Sequence, residues 1–180
     1  MLKIRIVPRY ALANIVLVTN VFIWYFCAFD ILKGIVTEIG LDYFDTFLVW
    51  SVNFSGAAFS ALIGAVLANK IEKRMLLLAF WTVLGVFSSL ILMLMNFAVT
   101  SNIVILSSLF GVSFGLGMPV CMGYYSDSTT VENRARLGGI IVFINGAGTF
   151  ILLRVMMVSS IFMHALILAA WRGSSLTVFR

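Results

Sequence analysis

The sequence predicts an all-α polytopic membrane protein with six transmembrane helices, and three observations lead there. Of its 180 residues 62% are hydrophobic and only 11% charged, whereas an ordinary soluble domain carries about 25% charged residues to cover its surface. The apolar residues gather into runs of roughly twenty, the length that crosses a bilayer as a helix. The chain has only two prolines and is rich in Leu, Ile, Val, Phe and Met. That composition suits helices rather than barrel strands, which would alternate polar and apolar residues.

Taken in order, the chain opens with a short basic segment carrying Lys3, Arg5 and Arg9. The apolar run that follows, about Ala11 to Ile31, is too long for the core of a cleaved signal. No small-x-small cleavage site follows it, so it reads as a retained first span. A loop from Lys33 to Asp45 holds Glu38, Asp42 and Asp45 against one lysine. The second span runs about Thr46 to Ala68 and the third about Met75 to Phe97. Between them Lys70, Glu72, Lys73 and Arg74 fall within five positions, and no other charge occurs between Asp45 and Asp127. The polar link Thr100-Ser101-Asn102 leads to a fourth span, about Ile103 to Tyr124. A second basic loop covers Ser126 to Leu137, and the fifth span runs Gly138 to Met157. The sixth has two registers. One turns at Val158-Ser159-Ser160 and runs from Ile161 to Arg180, which places Arg172 near mid-membrane. The other turns at Arg154 and leaves too few residues for two full spans, so the first is preferred.

The basic residues set an orientation. The N-terminus and the two basic turns hold eight Lys and Arg, while Lys33 and Arg154 lie on the opposite side. The positive-inside rule then puts both ends in the cytoplasm of a multi-pass protein, expected in the plasma membrane. The net charge of +5 is spent on orientation, so the expected partner is the lipid bilayer and not nucleic acid. Cys27 and Cys121 both fall inside apolar runs and do not suggest a disulfide framework.

Within the spans, polar and small residues carry the remaining information. Asn53, Gly56, Ser60 and Gly64 recur at three- and four-residue steps, on one helical face. Ser107, Gly111 and Gly115 repeat the device ahead of Pro119. Such stripes let backbones approach closely and serve helix packing. Asn20 and Asn53 read either as interhelical hydrogen-bonding groups or as cavity lining. Asp30 either marks the outer end of the first span or binds a proton or substrate. Arg172 is the candidate for holding an anionic group, because an ionisable residue at membrane depth raises a functional hypothesis. Trp24, Tyr25, Tyr43, Phe44 and Trp50 are expected to form an interfacial aromatic belt. No zinc-helix, phosphate-loop or nucleophile-elbow pattern occurs. Neither enzyme activity, nor a cofactor, nor a metal site is expected.

The turn after the second span reads Ala65-Val66-Leu67-Ala68-Asn69-Lys70-Ile71-Glu72-Lys73-Arg74. It resembles the Gly-x-Leu-Ala-Asp-Arg-x-Gly-Arg-Arg motif of major facilitator superfamily transporters. Leu67, Ala68, Lys70, Lys73 and Arg74 fit it, whereas Ala65, Asn69 and Glu72 depart. Gly111-Val112-Ser113-Phe114-Gly115 with Pro119 is similar to that family's glycine-rich fourth span, with Ser107 where an arginine stands. Asp127 and Glu132-Asn133-Arg134-Ala135-Arg136 look like the loop that follows it. The resemblance covers essentially the whole chain and implies the N-terminal six-helix half of a twelve-span transporter, itself built as a 3+3 repeat. It further implies a small-molecule substrate and a missing C-terminal half or a homodimer partner. Asn69, Lys70, Lys73, Arg74, Asp127, Glu132, Arg134 and Arg136 would form a cytoplasmic gate, and Asn20, Asn53, Asp30 and Arg172 would line the cavity. The competing expectation is a six-span scaffold or assembly protein that transports nothing.

Overall fold

The computed structural model of the chain describes residues 8–71 and 74–179, with the side chains of residues 8–11 and 132 outside the description. The elements are α1 (Pro8–Ile39), α2 (Tyr43–Lys70), α3 (Arg74–Ile91), α4 (Thr100–Gly115), α5 (Met118–Asp127), α6 (Val131–Met156), α7 (Ile161–Ser174) and a final 3₁₀ turn, Ser175–Phe179. The described residues hold six helices long and apolar enough to cross a membrane, α4 and α5 together forming the fourth. This is the architecture of a multi-pass membrane protein.

Each boundary has a local cause. α1 runs on past Ile31 to Ile39, so most of the expected acidic loop is helix. Leu32, Ile35 and Val36 continue the buried face at helical spacing, and the helix stops where Gly40 takes φ +68°, a conformation glycine adopts without strain. Asp42 then caps α2 by accepting from the Asp45 N–H at 2.7 Å. α3 ends at Ile91, six residues short of the expected Phe97. Asn96 organises the turn beyond it, accepting from the Ala98 N–H and, through its carbonyl, from the Asn102 amide. The fourth span breaks at Leu116-Gly117, because Pro119 in the first turn of α5 has no N–H to continue the ladder. α6 starts at Val131, so the second basic loop shrinks to Ser128-Thr129-Thr130. Ser160 caps α7 through the Met163 N–H.

The spans pair in a defined order. α2 lies along α4 and α5, α6 along α1, and α3 along α7. α1 also meets α7 and the fourth span, and α3 meets the fourth span. α1 is therefore enclosed on most sides, with Leu17, Val21, Ile23, Trp24 and Cys27 buried, whereas α2 and α6 are the least enclosed. Lipid is as apolar as leucine, so burial alone does not hold such helices together; close backbone approach and interhelical hydrogen bonds do. The seam between α2 and α4 shows both. A Cβ on Gly111 would lie 2.2 Å from the Asn53 carbonyl oxygen. One on Gly115 would lie 2.0 Å from that of Ala57, and one on Gly64 1.9 Å from that of Leu116.

Trp24 and Tyr25 do not form part of an aromatic belt. Trp24 is fully buried and donates through Nε1 to Ser89 Oγ at 2.7 Å, and Tyr25 stacks on Phe114 inside the bundle. Buried indole and phenol groups need such partners. Tyr43 and Phe44, at the start of α2, are exposed as a belt requires.

Candidate functional site

A groove of about 760 Å³ lies between α1, α5 and α6. α1 supplies Val18, Phe22 and Phe26, spaced four apart so that they share one face. Tyr125 closes the groove from α5. Asn145 and Thr149, one turn apart on α6, bring the polar groups. Among the described residues, Asn145 Oδ1 and Thr149 Oγ1 are buried and have no hydrogen-bond partner. None of the residues lining the groove is charged.

The sequence candidates for a cavity lie elsewhere. Asn53 is buried in the α2–α4 seam, where its Nδ2 donates to the Ser107 carbonyl at 2.8 Å and its Oδ1 accepts from the Tyr25 hydroxyl at 2.6 Å. Asn20 is committed to α7. It donates to the Trp171 carbonyl and to Ser174 Oγ, and its own carbonyl accepts from the Trp171 indole. Neither amide is in the wall of the groove.

Arg172 is fully buried on α7. Its Nη1 donates to Asn20 Oδ1 at 3.0 Å, and its guanidinium carbon lies 4.3 Å from the Trp81 ring centre and 5.7 Å from that of Trp24. Nε and Nη2 have no acceptor among the described residues. Gly85 makes the room, since a Cβ there would come within 2.7 Å of Nε. Arg172 is not in the wall of the groove or of either smaller cavity. The sheath of indole rings supplies the cation–π contact that a buried guanidinium needs when no described carboxylate pairs with it.

Asp30 is exposed and lines a separate cavity of about 300 Å³ at the far end of α1, together with Glu38 and His164. His164 Nε2 lies 2.7 Å from the Met156 carbonyl oxygen. Among the described residues no group of His, Cys, Asp and Glu is arranged to hold a metal ion. The Arg154 guanidinium lies over the Phe150 ring at 5.2 Å, on the exposed side of α6.

At the basic end, Arg74 and Asp127 form an ion pair between the start of α3 and the end of α5. With Asn69, Pro119 and Gly123 they border a cavity of about 250 Å³. Arg134 folds back on the loop before it. Its Nη2 donates to the Ser126 carbonyl at 3.0 Å and its Nε to Thr129 Oγ1 at 3.2 Å, while its own carbonyl accepts from the Tyr125 hydroxyl. Lys70 and Arg136 are exposed. Lys3, Arg5, Glu72 and Lys73 lie outside the described residues, as do the side chains of Arg9 and Glu132.

Of the packing candidates, Gly64, Gly111 and Gly115 are in close backbone contact across the α2–α4 seam. Ser60 Oγ lies 2.3 Å from the position of a Gly115 Cβ, and Gly56 has ordinary spacing, 3.5 Å from its nearest neighbour. Pro119 ends the break in the fourth span. The groove itself went unread in the sequence because its wall is apolar. The available signal was Asn145 and Thr149, two polar residues four apart within an otherwise apolar run.

Comparison with known proteins returns no match among family models, curated proteins or solved structures.

Proposed function

We propose that the chain is a six-span bundle of a secondary transporter of the major facilitator type, which moves a small solute by alternating access against a second six-span bundle. The observation that carries this reading is the pattern of helix pairing. Exchanging the first span with the fourth, the second with the fifth and the third with the sixth maps the set of pairings onto itself. α2 on the fourth span becomes α6 on α1, and α1 on α7 becomes the fourth span on α3. The pair of α3 and α7, and that of α1 with the fourth span, map onto themselves. That is the pairing expected of a 3+3 repeat, in which a solute site lies at the interface of repeated units.

Two further features support it. The groove beside α1 is open on one side and carries polar atoms that no described neighbour satisfies, as a half-site does before its other wall is added. The resemblance of residues 65–74 to the family's basic turn is joined by the ion pair of Arg74 with Asp127, which ties the third span to the fourth at that end. In this reading the N-terminus and the basic turns face the cytoplasm of the plasma membrane. Arg172, Asn20, Trp24 and Trp81 hold the back wall formed by α1, α3 and α7.

The test is the intact mass of the protein from native membranes, taken with the mass of the particle in a lipid nanodisc. A particle holding two six-span bundles, on one polypeptide or as two copies, is expected. A stable monomer of 19.9 kDa would leave the groove without a second wall and sink the proposal.

A further inference from the structure

We infer that the groove between α1, α5 and α6 is a binding site for a neutral, largely apolar molecule bearing one hydroxyl, aromatic amine or amide group. The inference deepens the transporter reading and rests on it for the purpose of the site, though not for its chemistry.

Size and lining come first. A volume of about 760 Å³ lies in the range of small-molecule pockets, which are mostly apolar with a few placed polar groups. Phe22, Phe26 and Phe150 offer ring faces and edges to an aromatic or alicyclic body. The polar groups sit together on α6. Asn145 and Thr149 face the groove one turn apart, and each has a buried oxygen with no partner among the described residues. A buried polar atom left unmet is costly, so a ligand group that satisfies either one gains by entering. A carboxamide and a hydroxyl present both donors and acceptors, which admits a hydroxyl, aromatic amine or amide on the ligand.

Charge decides what is kept out. Among the described residues no lysine, arginine, histidine or carboxylate lines the groove, so a carboxylate, phosphate or sulfonate would be desolvated against this wall without compensation. Arg172, the cation nearest in kind to an anion receptor, is sealed between Trp24 and Trp81 and does not open onto the groove. This wall therefore offers an anion no partner.

The experiment uses two fluorescent probes that share one ring system. Phenylnaphthylamine is neutral, with one N–H donor on an apolar body; its anilinonaphthalene sulfonate counterpart adds only an anionic group. The full chain is titrated in nanodiscs against empty nanodiscs. Saturable binding of the neutral probe is expected, with the sulfonate at least tenfold weaker. Gly146→Phe should abolish binding: a Cβ at Gly146 meets nothing within 4 Å, so the ring fills the groove without disturbing the helix. Asn145→Leu should weaken binding about two- to tenfold. Val142→Trp gives a second plug, should the first variant not fold. Equal binding of the two probes would overturn the inference, as would a neutral signal unchanged by both plugs, or a co-purifying lipid that the probe does not displace. Access to Gly146→Cys from the two sides of the membrane, read in the absence of any probe, reports on transport separately. Loss of two-sided access with retained probe binding removes the transporter reading and leaves the ligand class standing.

Discussion

The Arg172 guanidinium carbon lies 4.3 Å from the centre of the Trp81 ring, fully buried where α3 and α7 meet. Trp81 does two things at once there. It gives its π-face to the cation and donates its indole N–H to the Ser113 carbonyl of α4. Trp81→Leu removes both and should destabilise the bundle by about 2–4 kcal/mol. Trp81→Phe keeps a ring face and should cost less. Unfolding in mild detergent measures both.

The same site predicts an order among substitutions of the arginine. No described carboxylate pairs with Arg172, and two of its donor nitrogens have no acceptor among the described residues. Removing the charge is then less harmful than moving it. Arg172→Met should keep more stability than Arg172→Lys, because a compact ammonium lacks the planar face that stacks on indole. Thermal midpoints in detergent give the ranking, and a lysine variant equal to wild type would contradict it.

The α2–α4 seam predicts a contrast among glycines. Gly64→Ala, Gly111→Ala and Gly115→Ala each drive a methyl into a facing backbone carbonyl, with an expected cost of about 1–3 kcal/mol each. Gly56→Ala meets only ordinary van der Waals contact. It should be neutral, or stabilising by up to about 1 kcal/mol through lower unfolded-state entropy. Four single variants compared by unfolding suffice.

Asn53 bridges three helices, accepting from Tyr25 of α1 and donating to the Ser107 carbonyl of α4. Interhelical hydrogen bonds in bilayers average about 0.6 kcal/mol each. Tyr25→Phe, which removes one, should cost about that much. Asn53→Leu, which removes both and leaves the Tyr25 hydroxyl unmet, should cost about 1–2 kcal/mol.

The ion pair of Arg74 and Asp127 is more exposed, with side chains 45% and 65% accessible. Such pairs contribute at most about 1 kcal/mol and weaken with salt. Arg74→Ala should leave folding nearly unchanged, and any effect on access at the basic end should shrink as ionic strength rises.

The spans were legible in the sequence because apolar runs of membrane length have few other readings, and the four-residue spacing of Gly56, Ser60 and Gly64 fixes a shared face. Helix ends were less legible. Residues 32–39 carry Lys33 and Glu38, which mimic a loop, yet Leu32, Ile35 and Val36 keep a buried stripe and the helix continues to Gly40. The aromatic residues of α1 could not be assigned by position along the span, since depth in a membrane and depth in a bundle leave the same trace in one sequence. Trp24 and Tyr25 are internal because Ser89 and Asn53 meet their polar tips, and those partners come from helices distant in the chain. The groove was hidden for a related reason: its wall is built from three spans and is apolar throughout most of its length.

The most direct test of the account is two-sided access to the groove. A cysteine placed at Gly146 has open space around it, and the native Cys27 and Cys121 are buried. A membrane-impermeant thiol reagent is applied to right-side-out and to inside-out vesicles. An alternating-access bundle predicts labelling of Gly146→Cys from both sides, and a block from one side when the second bundle is crosslinked closed. Labelling from neither side, as for a face sealed by lipid in a scaffold, would contradict it.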